Sequence, residues 1–97
     1  MNFGTKLIHA SGDIDNATGS VNTPIYQTST FHQFDINNFG KYDYSRSGNP
    51  TREVLENLIS ELEGGVRGFA FASGMAAICS VLSLFSAGDH IIICGDV

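Results

Sequence analysis

Tyr44 and Arg46, two residues with anion-binding chemistry, stand two positions apart in a polar stretch of the sequence. A guanidinium donates two parallel hydrogen bonds to an oxyanion, and a phenol hydroxyl adds a further donor. In an extended segment, residues two positions apart face the same side, so both groups could converge on one phosphate. The local sequence alone favours a simpler alternative, in which Arg46 is solvated and pairs with Asp43.

A second candidate for anion binding is the run from Ala72 to Met75. It is predicted to open a helix, which places Gly74 and Met75 in the first turn, where N–H groups lack partners and the helix dipole is positive. Because Gly74 has no side chain, a phosphate could approach these amides closely. The local sequence again favours a simpler alternative, with Ser73 as an N-cap and Gly74 in a tight turn. The sequence has no G-x-G-x-x-G motif and no Walker lysine, so it supports neither a dinucleotide site nor an ATPase loop.

The helix that follows the first motif is predicted from its capping residues and its periodicity. Asn49 is a favoured N-cap, and Pro50 is a favoured first helical residue. Apolar residues then recur along 54–62 as one stripe, and Gly64 ends the helix. The opposite face carries Arg52, Glu53, Glu56, Asn57 and Glu61. The carboxylates of Glu53, Glu56, Glu61 and Glu63 are predicted to face solvent.

A strand–helix–strand unit is predicted for the remainder of the chain. Residues 67–72 and 90–94 are short apolar runs typical of buried parallel strands, and residues 75–86 form an apolar helix between them. Such a unit is a right-handed βαβ crossover. Two parallel strands need cover on both faces and both edges, so the chain is predicted to be the first third or less of an α/β protein.

Residues 1–48 show no helical periodicity and are rich in Thr, Asn and Gly. A structureless stretch of this length is uncommon inside one compact domain. It nevertheless contains seven Phe and Tyr residues, which are costly to leave in water. We therefore expect an arm that packs on the rest of a longer chain or on a second subunit.

Composition narrows the class of protein. Ten acidic and five basic residues among 97 give a net charge of -5, which argues against nucleic acid as the main partner. Cys79 and Cys94 form no C-x-x-C motif and lie in apolar stretches, so they are predicted to be buried, reduced thiols, and no metal site is expected. The apolar run 69–85 is too short to span a bilayer, and no secretory signal is visible, so a cytoplasmic protein is expected.

Seven short motifs, in their order and spacing, resemble the amino-terminal segment of the pyridoxal-phosphate enzymes of Cys/Met metabolism. This family comprises cystathionine γ-synthases, cystathionine γ- and β-lyases, methionine γ-lyases and O-acyl-homoserine sulfhydrylases. The motifs lie at residues 5–10, 18–19, 24–31, 44–51, 62–65, 71–77 and 88–90.

The resemblance implies an aminotransferase-like α/β fold (fold type I), of which this chain holds the arm, the first helix and the first βαβ unit. Residues 1–63 would be the arm and helix that contact a second subunit, and 64–97 would start the large cofactor-binding domain. By resemblance, Tyr44 and Arg46 bind the phosphate of the neighbouring subunit's pyridoxal 5'-phosphate. The backbone amides of Gly74 and Met75 bind the phosphate of the subunit's own cofactor.

The resemblance also implies a reaction for a longer parent. This is a β- or γ-elimination or replacement on cystathionine, homoserine esters, methionine or cysteine, in a cytoplasmic homotetramer built as a dimer of dimers. The family's cofactor-bonding Lys, pyridine-pairing Asp and ring-stacking Tyr would lie beyond residue 97. Neither Lys6 nor Lys41 falls at a matching position, so no catalytic residue is assigned and the 97-residue chain is expected to be inactive alone. The alternative is a non-catalytic module that keeps only the subunit-contact arm and binds a partner.

Overall fold

The computed structural model describes residues 2–9 and 15–96 and contains three helices in these ranges. They are α1 (Phe3–His9), α2 (Pro50–Leu62) and α3 (Gly74–Leu82). Within the same ranges, β pairing is limited to two isolated antiparallel bridges, Thr30 with Tyr44 and Asp35 with Asn38.

Helix α2 begins and ends as its sequence predicts. The side chain of Asn49 accepts a hydrogen bond from the N–H of Thr51 at 2.9 Å, and Pro50 is the first helical residue. After the helix, Gly64 adopts a φ of 65°, a left-handed conformation that glycine reaches without a steric penalty. The start, the end and the capping of this helix are therefore confirmed.

Helix α1 was not predicted, because two turns are too short to show a periodicity. It begins with a local cap, in which the side chain of Asn2 accepts hydrogen bonds of 2.9 Å from both the N–H and the hydroxyl of Thr5. It then packs on α2, where Lys6 forms an ion pair of 3.3 Å with Glu61. The expectation that residues 1–48 lack any helix is therefore wrong for residues 3–9.

The strands of the predicted βαβ unit do not pair in the part of the chain that the structure describes. Residues 67–72 and 90–94 run without ladder partners, and α3 ends at Leu82 rather than at residue 86. Parallel strands require neighbours on their edges, and residues 2–9 and 15–96 supply no paired strand for them. The helix of the unit is confirmed, whereas its strand pairing is not formed within this chain.

Apolar side chains remain largely uncovered. Among residues 2–9 and 15–96 no hydrophobic residue is buried, and the one buried residue is Asn49, which is 8% exposed. Cys79 and Cys94 are free and exposed, so the prediction that they are buried is wrong for this chain. The cause is the same as for the strands, because the layers that would cover the α/β unit are not among these residues.

No helix in the described ranges is long and apolar enough to cross a membrane. The same residues bring together no group of three or more His, Cys, Asp or Glu side chains that could hold a metal ion.

Candidate functional site

The segment that carries Tyr44 and Arg46 is fixed on both sides by backbone hydrogen bonds. On one side, residues 43–45 pair with residues 29–31 through two bonds of 2.9 and 2.8 Å around the Thr30–Tyr44 bridge. On the other side, the carbonyl of Tyr44 accepts bonds of 3.0 Å from the N–H groups of Ser47 and Gly48, which closes a turn. Arg46 therefore lies at the centre of a turn whose ends are both anchored.

The side chains of Tyr44 and Arg46 are in contact and exposed. The Nη2 atom of Arg46 donates to the hydroxyl of Tyr44 at 3.4 Å, and its guanidinium carbon lies 5.3 Å from the centre of the Tyr44 ring. The prediction that these two side chains share one side is confirmed. The reason differs from the predicted one, because residues 45–47 form a turn and not an extended segment.

The alternative in which Arg46 pairs with Asp43 is not what the structure contains. A carboxylate oxygen of Asp43 accepts bonds of 2.7 Å from the Ser47 hydroxyl and from the N–H of Tyr44. These two donors, Ser47 first, lower the pKa of the Asp43 carboxyl. Within the described ranges, Arg46 forms no ion pair with any carboxylate. Its charge is thus available to an external anion.

Asn49 connects the turn to both α2 and the arm. Its Nδ2 atom donates to the carbonyl of Tyr26 and to the hydroxyl of Ser45, both at 3.0 Å, while its Oδ1 atom caps the helix. The sequence predicted the cap but not the two donor bonds, because their acceptors lie 23 and 4 positions earlier in the chain. These three bonds satisfy a buried amide almost completely.

Arg52 was predicted only to lie opposite the apolar stripe of α2, and the structure gives its side chain specific partners. Its Nη1 and Nη2 atoms donate to the carbonyls of Ser45 and Arg46, both at 3.1 Å. Its Nε atom lies 3.5 Å from a carboxylate oxygen of Glu56. A cation in the first turn of a helix opposes the helix dipole, and these acceptors offset that unfavourable position.

Glu53 fastens the start of the same segment to α2. Its carboxylate accepts hydrogen bonds from Tyr42 and, at 2.7 Å, from Lys41. The Lys41 bond, followed by the Tyr42 bond, lowers the pKa of Glu53, and the same carboxylate raises the pKa of Lys41. Burial, with the Glu53 bond, raises the pKa of Tyr42. The predicted solvent-facing side of α2 is therefore partly used to hold residues 41–46 in place.

The second candidate site, at the start of α3, combines an N-cap with free donors. The hydroxyl of Ser73 accepts from the N–H of Ala76 at 3.1 Å, and its carbonyl accepts from Ala77 at 3.2 Å. The N–H groups of Gly74 and Met75 have no acceptor among the residues that the structure describes. A Cβ atom added at Gly74 would meet nothing within 4 Å, so this helix end is open to an anion.

The two candidate sites do not meet within this chain. Over residues 2–9 and 15–96, no hydrogen bond joins residues 44–46 to residues 73–75. The roles of the four residues stay predictions.

The family model for the Cys/Met metabolism PLP-dependent enzymes matches residues 4–97. The chain therefore belongs to this family of pyridoxal-phosphate enzymes. Its residues fit the cofactor's phosphate, because the open amides at Gly74 and the pair of Tyr44 and Arg46 provide donors and positive charge without a competing carboxylate.

Among its relatives is the cystathionine β-lyase of Lactococcus lactis subsp. cremoris (strain MG1363), which is 61% identical over 93 residues. The alignment covers 96% of this chain and 24% of that protein. The cystathionine γ-lyase of Bacillus subtilis (strain 168) is 50% identical over 93 residues, again 96% of this chain and 24% of the relative. The chain thus spans about a quarter of the length of the relatives that it matches.

Solved structures agree with the sequence relatives. The cystathionine γ-lyase from Lactobacillus plantarum, complexed with L-serine, superposes with a TM-score of 0.83 at 57% identity, over 93% of this chain and 23% of that one. The cystathionine γ-synthase from Xanthomonas oryzae pv. oryzae, in complex with cystathionine, gives 0.79 at 42% identity, over 86% of this chain and 21% of that one. The predicted family, fold class and cofactor are thereby confirmed.

Proposed function

We propose that this chain is the cofactor-phosphate and subunit-contact segment of a pyridoxal-phosphate-dependent carbon–sulfur lyase or cystathionine synthase. The parent would catalyse β- or γ-elimination or replacement on cystathionine, homoserine esters, methionine or cysteine. The observation that carries this proposal is the anchored, exposed contact between Arg46 and Tyr44 in a chain of this family. Pyridoxal phosphate, when bound, supplies an electron sink for the substrate's α-carbon.

In this proposal the two candidate sites bind one phosphate from two protomers. Residues 1–63 form the contact with a second subunit, and Tyr44 and Arg46 reach that subunit's cofactor. Residues 64–97 begin the large domain, where the amides of Gly74 and Met75 bind the subunit's own cofactor. A dianion then receives fixed dipoles from one chain and a guanidinium from the other, which couples dimerisation to cofactor retention. The homo-oligomer would be a cytoplasmic dimer of dimers.

A chimaera tests this proposal, because the chain spans 24% of its lyase relatives. The chain replaces the segment of the Lactococcus lactis cystathionine β-lyase that aligns with it. We expect the chimaera to cleave cystathionine and to show an absorbance band at about 420 nm, which borohydride abolishes, from the lysine-bound cofactor.

The role of Arg46 is tested in the chimaera by Arg46→Ala, with pyridoxal phosphate and phosphate-free pyridoxal as matched probes. Losing a charge-assisted hydrogen bond should weaken pyridoxal phosphate binding roughly 5- to 150-fold, and pyridoxal binding by less than about twofold. Arg67→Ala is the control, since Arg67 stacks on Phe69 with its guanidinium carbon 4.9 Å from the ring centre, outside both candidate sites. Equal affinity of Arg46→Ala and the parent chimaera for pyridoxal phosphate would refute the proposed role.

A further inference from the structure

The strongest unassigned feature is the guanidinium of Arg52, which bonds to the backbone on both sides of Arg46. We propose that Arg52 is a positioning residue that holds Arg46 toward the phosphate, so that this half of the site is formed within one chain before a partner docks. The inference rests on the proposed function, because it assumes that Arg46 binds the phosphate.

The two acceptors of Arg52 determine the backbone conformation at Arg46. The carbonyl of Ser45 belongs to the peptide plane that precedes the Arg46 Cα atom, and the carbonyl of Arg46 belongs to the plane that follows it. Peptide units are rigid, so the orientations of these two planes set φ and ψ of Arg46. With both carbonyls bound at 3.1 Å, the direction in which the Arg46 side chain leaves the backbone is fixed.

Arg52 is itself well supported. It lies in the first turn of α2, and its Nε atom faces Glu56 across one helical turn at 3.5 Å. Glu56 in turn accepts a hydrogen bond of 3.0 Å from the N–H of Ala70. The Glu56 side chain is 18% exposed and that of Arg52 34%, so neither is a freely moving surface group. Arg52 therefore holds the turn at residues 44–47 rigidly against α2.

Arg52 acts through Arg46 and not on the anion directly. Each of its three guanidinium nitrogens already has a partner, which are the two carbonyls and Glu56. Arg46, by contrast, donates only to the neighbouring Tyr44 hydroxyl, within the ranges that the structure describes. The two arginines consequently have different tasks, one holding the turn and one facing the ligand.

The test is a double-mutant cycle in the chimaera, with the affinity for pyridoxal phosphate measured by titration of the apoprotein. Arg52→Ala should weaken binding about tenfold when Arg46 is present, because the loss of two charge-assisted bonds releases the turn. In the Arg46→Ala background the same change should weaken binding by no more than about twofold, since there is no guanidinium left to position. Unchanged affinity in Arg52→Ala, or the same fold-loss in both backgrounds, would overturn the inference.

Two further variants keep the test decisive. Arg52→Lys retains the charge but bonds through one nitrogen, so a loss of about threefold that depends on Arg46 is expected, and the cycle is run with this variant if Arg52→Ala does not fold. Arg67→Ala is the matched control, because it removes an arginine whose guanidinium stacks on Phe69, outside the turn, and should leave affinity within about twofold. If Arg46→Ala itself has no effect, the proposed function fails; if only the Arg52 variants lack an effect, the positioning role fails and the proposed function stands.

Discussion

The buried side chain of Asn49 offers the sharpest test of how the turn is held. Replacing Asn49 by Ala removes the helix cap, worth about 1 kcal/mol, and two donor bonds worth about 1 kcal/mol each. The 8% exposure of Asn49 means that solvent replaces these bonds poorly. We therefore expect Asn49→Ala to lower the free energy of local opening around the start of α2 by about 2–3 kcal/mol.

Hydrogen exchange read by mass spectrometry measures this local opening in the chimaera. A change of 2–3 kcal/mol corresponds to roughly 30- to 150-fold faster exchange, here in peptides that cover residues 44–55. Asn49→Asp separates the contributions, because its carboxylate still caps the helix but cannot donate to the carbonyl of Tyr26. It should show most of the loss that comes from the two donor bonds.

Asn57→Ala is the matched control for Asn49→Ala, since Asn57 is exposed on the same helix and its side chain makes no hydrogen bond within the described ranges. It should change exchange by less than about threefold. If Asn49→Ala exchanges no faster than Asn57→Ala, the buried amide does not hold the turn, and the reasoning from its three hydrogen bonds is refuted.

Two further predictions concern the charge cluster at Glu53 and the isolated chain. The lowered pKa of Glu53 means that its contribution to stability is present above the carboxyl's ordinary pKa, about 4.3, and is lost as the pH falls further. Between about pH 6 and about pH 4, which bracket that pKa, the thermal midpoint of the parent chimaera should therefore fall more than that of Glu53→Gln. Equal falls in the two proteins would contradict this prediction. The isolated 97-residue chain should associate, because apolar side chains such as Ile92, 90% exposed, are uncovered. It should show no lysine-bound cofactor band, because neither Lys6 nor Lys41 lies at the family's cofactor-bonding position. A monomer with a cooperative melt in sedimentation and calorimetry would contradict that expectation.

Local sequence signals predicted α2 and the start of α3 well, since caps and helical periodicity act within one or two turns. Asn49, Pro50 and Ser73 identified the starts, and the φ of 65° at Gly64 shows why α2 ends there. The strands could not be established in the same way, because their stability depends on partners that are distant in sequence. Helix α1 was not predicted, because its seven residues depend on a cap and on contact with α2.

In the candidate site, the side-chain chemistry could be predicted from the sequence, whereas the backbone conformation and its hydrogen bonds could not. The convergence of Tyr44 and Arg46 was predicted from an extended segment, whereas in the structure a turn brings the two side chains together. The partners of Arg52 were not predicted, because they are backbone carbonyls, which are present at every position and leave no side-chain pattern.

The most direct test of a phosphate shared between subunits is a crystal structure of the chimaera with pyridoxal phosphate bound. We predict that the Arg46 guanidinium and the Tyr44 hydroxyl lie within hydrogen-bond distance of the phosphate held by the neighbouring subunit. The amides of Gly74 and Met75 should contact the phosphate of their own subunit. A structure in which Tyr44 and Arg46 point into solvent, away from every cofactor, would contradict the proposal.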